Sequence, residues 1–251
     1  SEDDINYSDW RLINADYLLL TSVIESNSGI EARYEIFDVR KKSKIRNSKV
    51  YGVTNNVRQL SHYVSDGIYE AITGIQGVAS TKILYVSQIN DLDASYRLYV
   101  ADADGANEQL LVKSPEPIIS PAWSPDSKKV AYVSFETGIA NVYIQDISTG
   151  QRQSIIKKRC LTCISNEQIS SPSWSPDGNY LSLTLYQDGN AEIYIYNLQK
   201  RNLTRLTNHY SIDTESKWSP DGRKLMFTSG RSGSPQLYEL DLRKLNKKPK
   251  R

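Results

Sequence analysis

Cys160-Leu-Thr-Cys163 is the sharpest chemical signal in the sequence, because two thiols at this spacing can form a redox pair or half of a zinc site. A zinc centre needs two further ligands. The chain has no other cysteine, and its two histidines, His62 and His209, lie far from the pair. A thioredoxin-type redox role sets the motif at a helix start within an α/β unit, whereas here the surroundings read as a loop between strands. There is no Gly-x-Ser-x-Gly, no phosphate-binding loop and no dinucleotide fingerprint. Without a nucleophile, base and orienting group, or a metal cluster, the sequence predicts a protein that is not an enzyme. Both histidines read as ordinary surface or loop residues.

The bulk properties exclude other classes. Lys plus Arg number 31 and Asp plus Glu 29, a balance that predicts neither nucleic-acid nor membrane-surface binding. The basic end Lys247-Lys-Pro-Lys-Arg251 reads as a solvated run. No stretch approaches the ~18 apolar residues that span a bilayer, so no direct membrane insertion is expected. The acidic start Ser1-Glu-Asp-Asp4 lacks the features of an export signal. Tyr (17) and Trp (4) far outnumber Phe (3), and most Tyr fall in alternating runs, which favours β structure.

Two regions must position these residues. Residues 1–76 read as a small α/β domain. It has strand-like runs at Asn14–Ile24 and Glu31–Val39, a turn at Ser26–Gly29, and one helix carrying Val57, Leu60, Val64, Ile68 and Ile72 on a single face. Thr54 or Asn55 is expected to cap its start and Gly74 its end. Gly74-Ile-Gln-Gly77 is the natural boundary, and residues 77–251 consist almost wholly of short strands.

Those strands are tandem. Trp123-Ser-Pro125-Asp126, Trp174-Ser-Pro176-Asp177 and Trp218-Ser-Pro220-Asp221 recur, with Trp174 lying 51 residues beyond Trp123 and Trp218 44 beyond Trp174. Strands ending in Tyr-x-x-Asp/Asn recur with them. A period of ~40–50 residues with several strands per unit marks a β-propeller. Pro presets φ for the turn, Asp bonds back to nearby amides, and the Trp ring suits the gap between neighbouring sheets. These residues are therefore structural. The fold class expected is an α+β domain followed by an all-β propeller.

Propeller repeats of this kind also occur in prolyl-oligopeptidase-type hydrolases, so such a propeller domain is the alternative reading. Three further stretches are more specific: Asp4–Leu18, the hinge at residues 72–77 running into Ser80–Val86, and Ser120-Pro-Ala-Trp-Ser-Pro-Asp126, joined by Phe227–Tyr238. Together these resemble the TolB family, periplasmic components of the Tol-Pal system of Gram-negative bacteria. The resemblance implies a six-bladed propeller, of which about three and a half blades would be present here. It implies that the chain starts inside the N-terminal domain, without the segment that engages TolA in the family. The open ring would then leave sticky sheet edges and promote self-association. It implies binding of the lipoprotein Pal, and of colicin peptides, on the face formed by the segments before each Trp: Glu116, Pro117 and Ile118; Asn166 and Glu167; Asp213, Thr214 and Glu215. It implies no cofactor, although the carboxylates of Asp213, Glu215 and Glu167 would suit calcium in the propeller channel. An oxidising periplasm would favour a local disulfide between Cys160 and Cys163.

Overall fold

A computed structural model describes residues 5–26, 29–53, 56–90, 95–155, 168–187 and 189–245. The chain forms two compact units, Ser1–Ile83 with Ala101–Glu108, and Leu84–Val100 with Gln109–Arg251. The cysteine pair, Asn166 and Glu167 lie outside the described residues, as do Thr54 and Asn55.

In the first unit the short helix α1 (Tyr7–Leu12) precedes an antiparallel meander of β1 (Tyr17–Ser26), β2 (Gly29–Asp38) and β3 (Ser43–Gly52). The sequence pattern marks β1 and β2 but not β3. Lys44, Arg46, Asn47 and Lys49 depress its strand propensity, and it forms an edge strand in which Asn47 and Lys49 face water while the half-buried Lys44 and Arg46 pair with Glu35 and Glu70. Helix α2 (Val57–Thr73) covers one face through Leu60 against Ile30 and Ala32, with Val50 and Val64 alongside. Leu18, Phe37 and Val39 form a second core with Ile5 and Tyr7. Val57 and Ile72, in the first and last turns, stay exposed rather than completing the predicted seam. Asn56 caps α2, its side chain accepting from the Gln59 N–H at 3.2 Å. Gly74 ends the helix in the left-handed conformation. Beyond it, the Asp66 carboxylate accepts the Ala79 and Ser80 N–H groups at 2.6 and 2.9 Å. Gly77 passes so close that a Cβ would sit 2.4 Å from the Asp66 Cα.

The later strands make four antiparallel sheets. The first contains β4 (Lys82–Ile89), β5 (Ser95–Asp102) and β6 (Gln109–Ser114); the second β7 (Ile118–Trp123), β8 (Lys129–Ser134), β9 (Asn141–Asp146) and β10 (Arg152–Ser154). The third contains β11 (Gln168–Trp174), β12 (Tyr180–Gln187), β13 (Asn190–Asn197) and β14 (Asn202–Arg205). The fourth contains β15 (Asp213–Trp218), β16 (Lys224–Ser229) and β17 (Gln236–Asp241), followed by the single turn α3 (Leu242–Leu245).

The Trp-Ser-Pro-Asp turn closes the first hairpin of three sheets in the same way. The hydroxyls of Ser124, Ser175 and Ser219 donate to Asp126, Asp177 and Asp221 at 2.6, 2.5 and 2.6 Å. Each Asp then accepts an amide two residues on, from Lys128, Asn179 or Arg223, at 3.1 Å. Each Ser accepts the N–H of the first strand residue at 2.9–3.0 Å. Ser127, where the other copies have Gly178 and Gly222 at φ of 70° and 68°, also takes a positive φ, of 57°. Between sheets, the Trp174 indole N–H donates to the Ala122 carbonyl at 3.3 Å, and the Trp218 indole to the Ser173 carbonyl at 3.0 Å. Each Trp thus holds the residue before the Trp of the preceding sheet. Beside these bonds, Ala131, Val133, Val142 and Ile144 pack on Ile169, Leu181 and Leu183, all buried. Full burial stabilises each large side chain by ~1.5–3 kcal/mol.

Hydrogen bonds from Ser124 and Ser219 hold Asp126 and Asp221 below the ordinary carboxylate range. Burial alone would raise Asp177, but bonds from Ser175 and Asn179 outweigh it and the net shift is downward. A group with a lowered folded pKa stabilises fully above its unfolded value, near pH ~4, and loses that contribution as pH falls through the folded value. Thermal melts should therefore be flat at neutral pH and fall steeply below pH ~4. Asp126→Ala, Asp177→Ala and Asp221→Ala should lower the neutral midpoint and flatten the acid limb. Melts that keep the wild-type acid slope would refute this role.

Candidate functional site

The first strands of the last three sheets, β7, β11 and β15, lie in sequence against one another. Each is interrupted at the same place. Register shifts fall at Ile119/Ala122, Ser170/Ser173 and Thr214/Lys217. Inside them Ser120, Ser171 and Glu215, each three residues before the Trp, adopt φ of 52°, 51° and 56°. Left-handed backbone is costly for residues other than Gly, and bulges re-aim side chains. Its recurrence makes it part of the repeat.

This corrects the expected loops. Ile118 opens β7, and Asp213, Thr214 and Glu215 belong to β15; among the described residues of the set, Glu116 and Pro117 lie in a loop. The Ser- and Pro-containing bulges hid the strand pattern. Ile118 is buried, Glu116 exposed, and Glu215 is the exposed bulge residue. Its N–H donates to Thr184 Oγ1 at 3.2 Å, and the Thr214 hydroxyl lies 3.3 Å from the same atom, so the third and fourth sheets are tied at the bulge.

Asp213 is the anomaly. Its position, five residues before the Trp, holds Ile118 and Ile169 in the other two sheets, yet Asp213 is fully buried. Arg231 Nη2 donates to Asp213 Oδ2 at 2.6 Å, while Arg231 Nε reaches Ser229 Oγ at 2.9 Å. The guanidinium rests over the rings of Phe227 and Tyr238, at 5.1 and 4.8 Å. Asp213 Oδ2 is therefore held by an arginine, while its buried Oδ1 has no hydrogen-bond partner among the described residues.

A second buried carboxylate, which is not among the residues the sequence pattern singles out, anchors the adjoining loop. Glu192 on β13 is 2% exposed. Its Oε1 accepts from Arg205 Nη2 at 2.9 Å, Asn190 Nδ2 at 3.2 Å and the His209 N–H at 2.7 Å, and its Oε2 from the Thr207 hydroxyl at 2.5 Å. Asn190 also donates to the His209 carbonyl, and the Ser211 N–H to His209 Nδ1 at 3.1 Å. His209 is thus a loop residue with a structural task. The Tyr210 ring lies tilted against the His209 ring, with centroids 4.2 Å apart, and Tyr210 is 84% exposed, with Ile212 58% exposed. A carboxylate at an inward strand position, Ala191-Glu192-Ile193, was the available signal. His62, on α2, is partly buried rather than a plain surface residue.

Two family models fit the chain in order: residues 1–45 match one described as the TolB amino-terminal domain, and residues 69–248 one described as the TolB beta propeller domain. The chain belongs to the TolB family. The Tol-Pal system protein TolB of Alcanivorax borkumensis is 43% identical over 192 residues, which cover 75% of this chain and 42% of that protein. The match thus spans less than half of that relative's length. The crystal structure of TolB from Acinetobacter baumannii superposes with a TM-score of 0.85 at 40% identity, over 95% of this chain and 58% of that one. A puromycin-hydrolyzing peptidase of Mycobacterium tuberculosis shares the fold alone, with a TM-score of 0.51 at 13% identity over 90% of this chain and 42% of that one. No helix among the described residues is long and apolar enough to cross a membrane.

Removing one member of a buried ion pair leaves an uncompensated charge, at a cost of ~3–5 kcal/mol. Arg231→Gln should destabilise by about that amount in urea unfolding. Adding Asp213→Ile, the residue type of the equivalent positions, should recover most of the loss. A double variant as unstable as the single one would contradict the pairing.

Proposed function

We propose that this chain is a non-catalytic, protein-binding scaffold of the Tol-Pal system in the Gram-negative periplasm. Its propeller face binds the lipoprotein Pal and links it to the TolA-containing inner-membrane complex, supporting outer-membrane integrity and division; colicins exploit the same face. TolB family membership and the curated relatives' name support the system. The observation that carries the binding reading is the loop 206–212, which a buried carboxylate holds rigidly while it presents Tyr210 almost fully to water. Exposed aromatics on a preorganised frame are typical binding anchors, because little conformational entropy is lost on association. Glu215 extends the face, its direction fixed by the left-handed bulge. Glu116, Pro117 and Thr214 belong to the same set. The likeness to a peptidase rests on sheet architecture and contributes no reacting group.

Calorimetry with purified Pal tests the face. Tyr210→Ala and Glu215→Lys should each weaken binding by roughly tenfold or more, with thermal midpoints little changed. Wild-type affinity in both variants would remove these residues from the interface.

A further inference from the structure

The repeat accounts for one carboxylate of the β5–β6 turn but not for its neighbours. Asp102 occupies the place of Asp146, Asn197 and Asp241, which end equivalent strands and accept amides of their own turns. Two residues further on the other turns carry Ser148, Gln199 and Arg243, whereas this one carries a second carboxylate, Asp104. His62 of α2 approaches it, with Nε2 at 3.6 Å from Asp104 Oδ2. That nitrogen is enclosed and makes no hydrogen bond among the described residues. One donor atom from each of His62, Asp102 and Asp104 lies within 4.8 Å of the others. His62 and Asp104 also line a cavity of about 450 Å³, with Asp66, Tyr69 and Gly77, which gives access and room for water ligands.

We propose that His62, Asp102 and Asp104 form a binding site for a borderline divalent cation of the zinc type. One imidazole and two carboxylates suit such ions, whereas calcium and magnesium favour all-oxygen sets. Bonds of ~2.0–2.2 Å require the three donors to draw together modestly. The local charges define the competition. Arg58 pairs with Asp104 and lies 3.6 Å from Asp102, and Lys82 reaches Asp102 at 2.8 Å. Asn107 donates to Asp102 at 2.6 Å, and Asp66 is occupied by backbone amides. The guanidinium of Arg58 holds the carboxylates that the ion would take, so ion binding displaces it.

The test is zinc titration by calorimetry of the untagged full chain at neutral pH. Cys160→Ser and Cys163→Ser are introduced throughout, so that thiol binding cannot contribute. One saturable site is expected, with calcium and magnesium giving none. His62→Ala and Asp104→Asn should weaken it at least tenfold while retaining the circular dichroism of the parent. Arg58→Gln should tighten it, an effect that a purely structural role for this cluster would not produce. Absence of saturable zinc binding even in Arg58→Gln, or binding indifferent to His62→Ala, would overturn the proposal.

Discussion

The propeller depends on a bond between sheets rather than within them. A sheet of three or four short strands cannot bury both faces alone, and stacked repeats gain stability only from their neighbours. Here the last three sheets are registered by an indole N–H donated to the carbonyl that precedes the Trp of the sheet before. The Trp, the turn after it and the bulge before it form one device. The turn closes the hairpin, the ring fills the space between sheets, and in β15 the bulge residue's N–H reaches the preceding sheet.

That device explains how much of the molecule was legible. Trp-Ser-Pro-Asp states its own turn chemistry, and the serine and aspartate bonds follow directly from the residue types. The tandem spacing then gave the architecture. The segments before each Trp misled for an equally local reason: a Ser or Glu in a left-handed bulge interrupts strand alternation and reads as loop. Asp213 and Glu192 were hidden differently. Each sits in a strand at an inward position made tolerable by partners from other segments, Arg231 for Asp213 and Arg205, Thr207 and the His209 N–H for Glu192. Strand β3 was hidden by its charges.

The candidate face follows from the same economy of parts. Buried ion pairs add little net stability against apolar replacements, but they fix geometry. Asp213 with Arg231, and Glu192 with Arg205, stand at the fourth sheet and at the loop that leads into it. There the repeat departs from its apolar pattern, and there Tyr210 and Glu215 are presented to solvent. Departures from a repeat are where function is placed, since the scaffold needs only the common residues.

Hydrogen exchange of the tryptophan indoles, read by nuclear magnetic resonance, tests the inter-sheet bond most directly. Of the four tryptophans, Trp174 and Trp218 donate their indole N–H across a sheet boundary, while Trp10 on α1 is exposed. The Trp174 and Trp218 indoles should exchange only with global unfolding of the propeller, orders of magnitude more slowly than Trp10. Exchange of either as fast as Trp10 would show that the sheets are not held together by this bond.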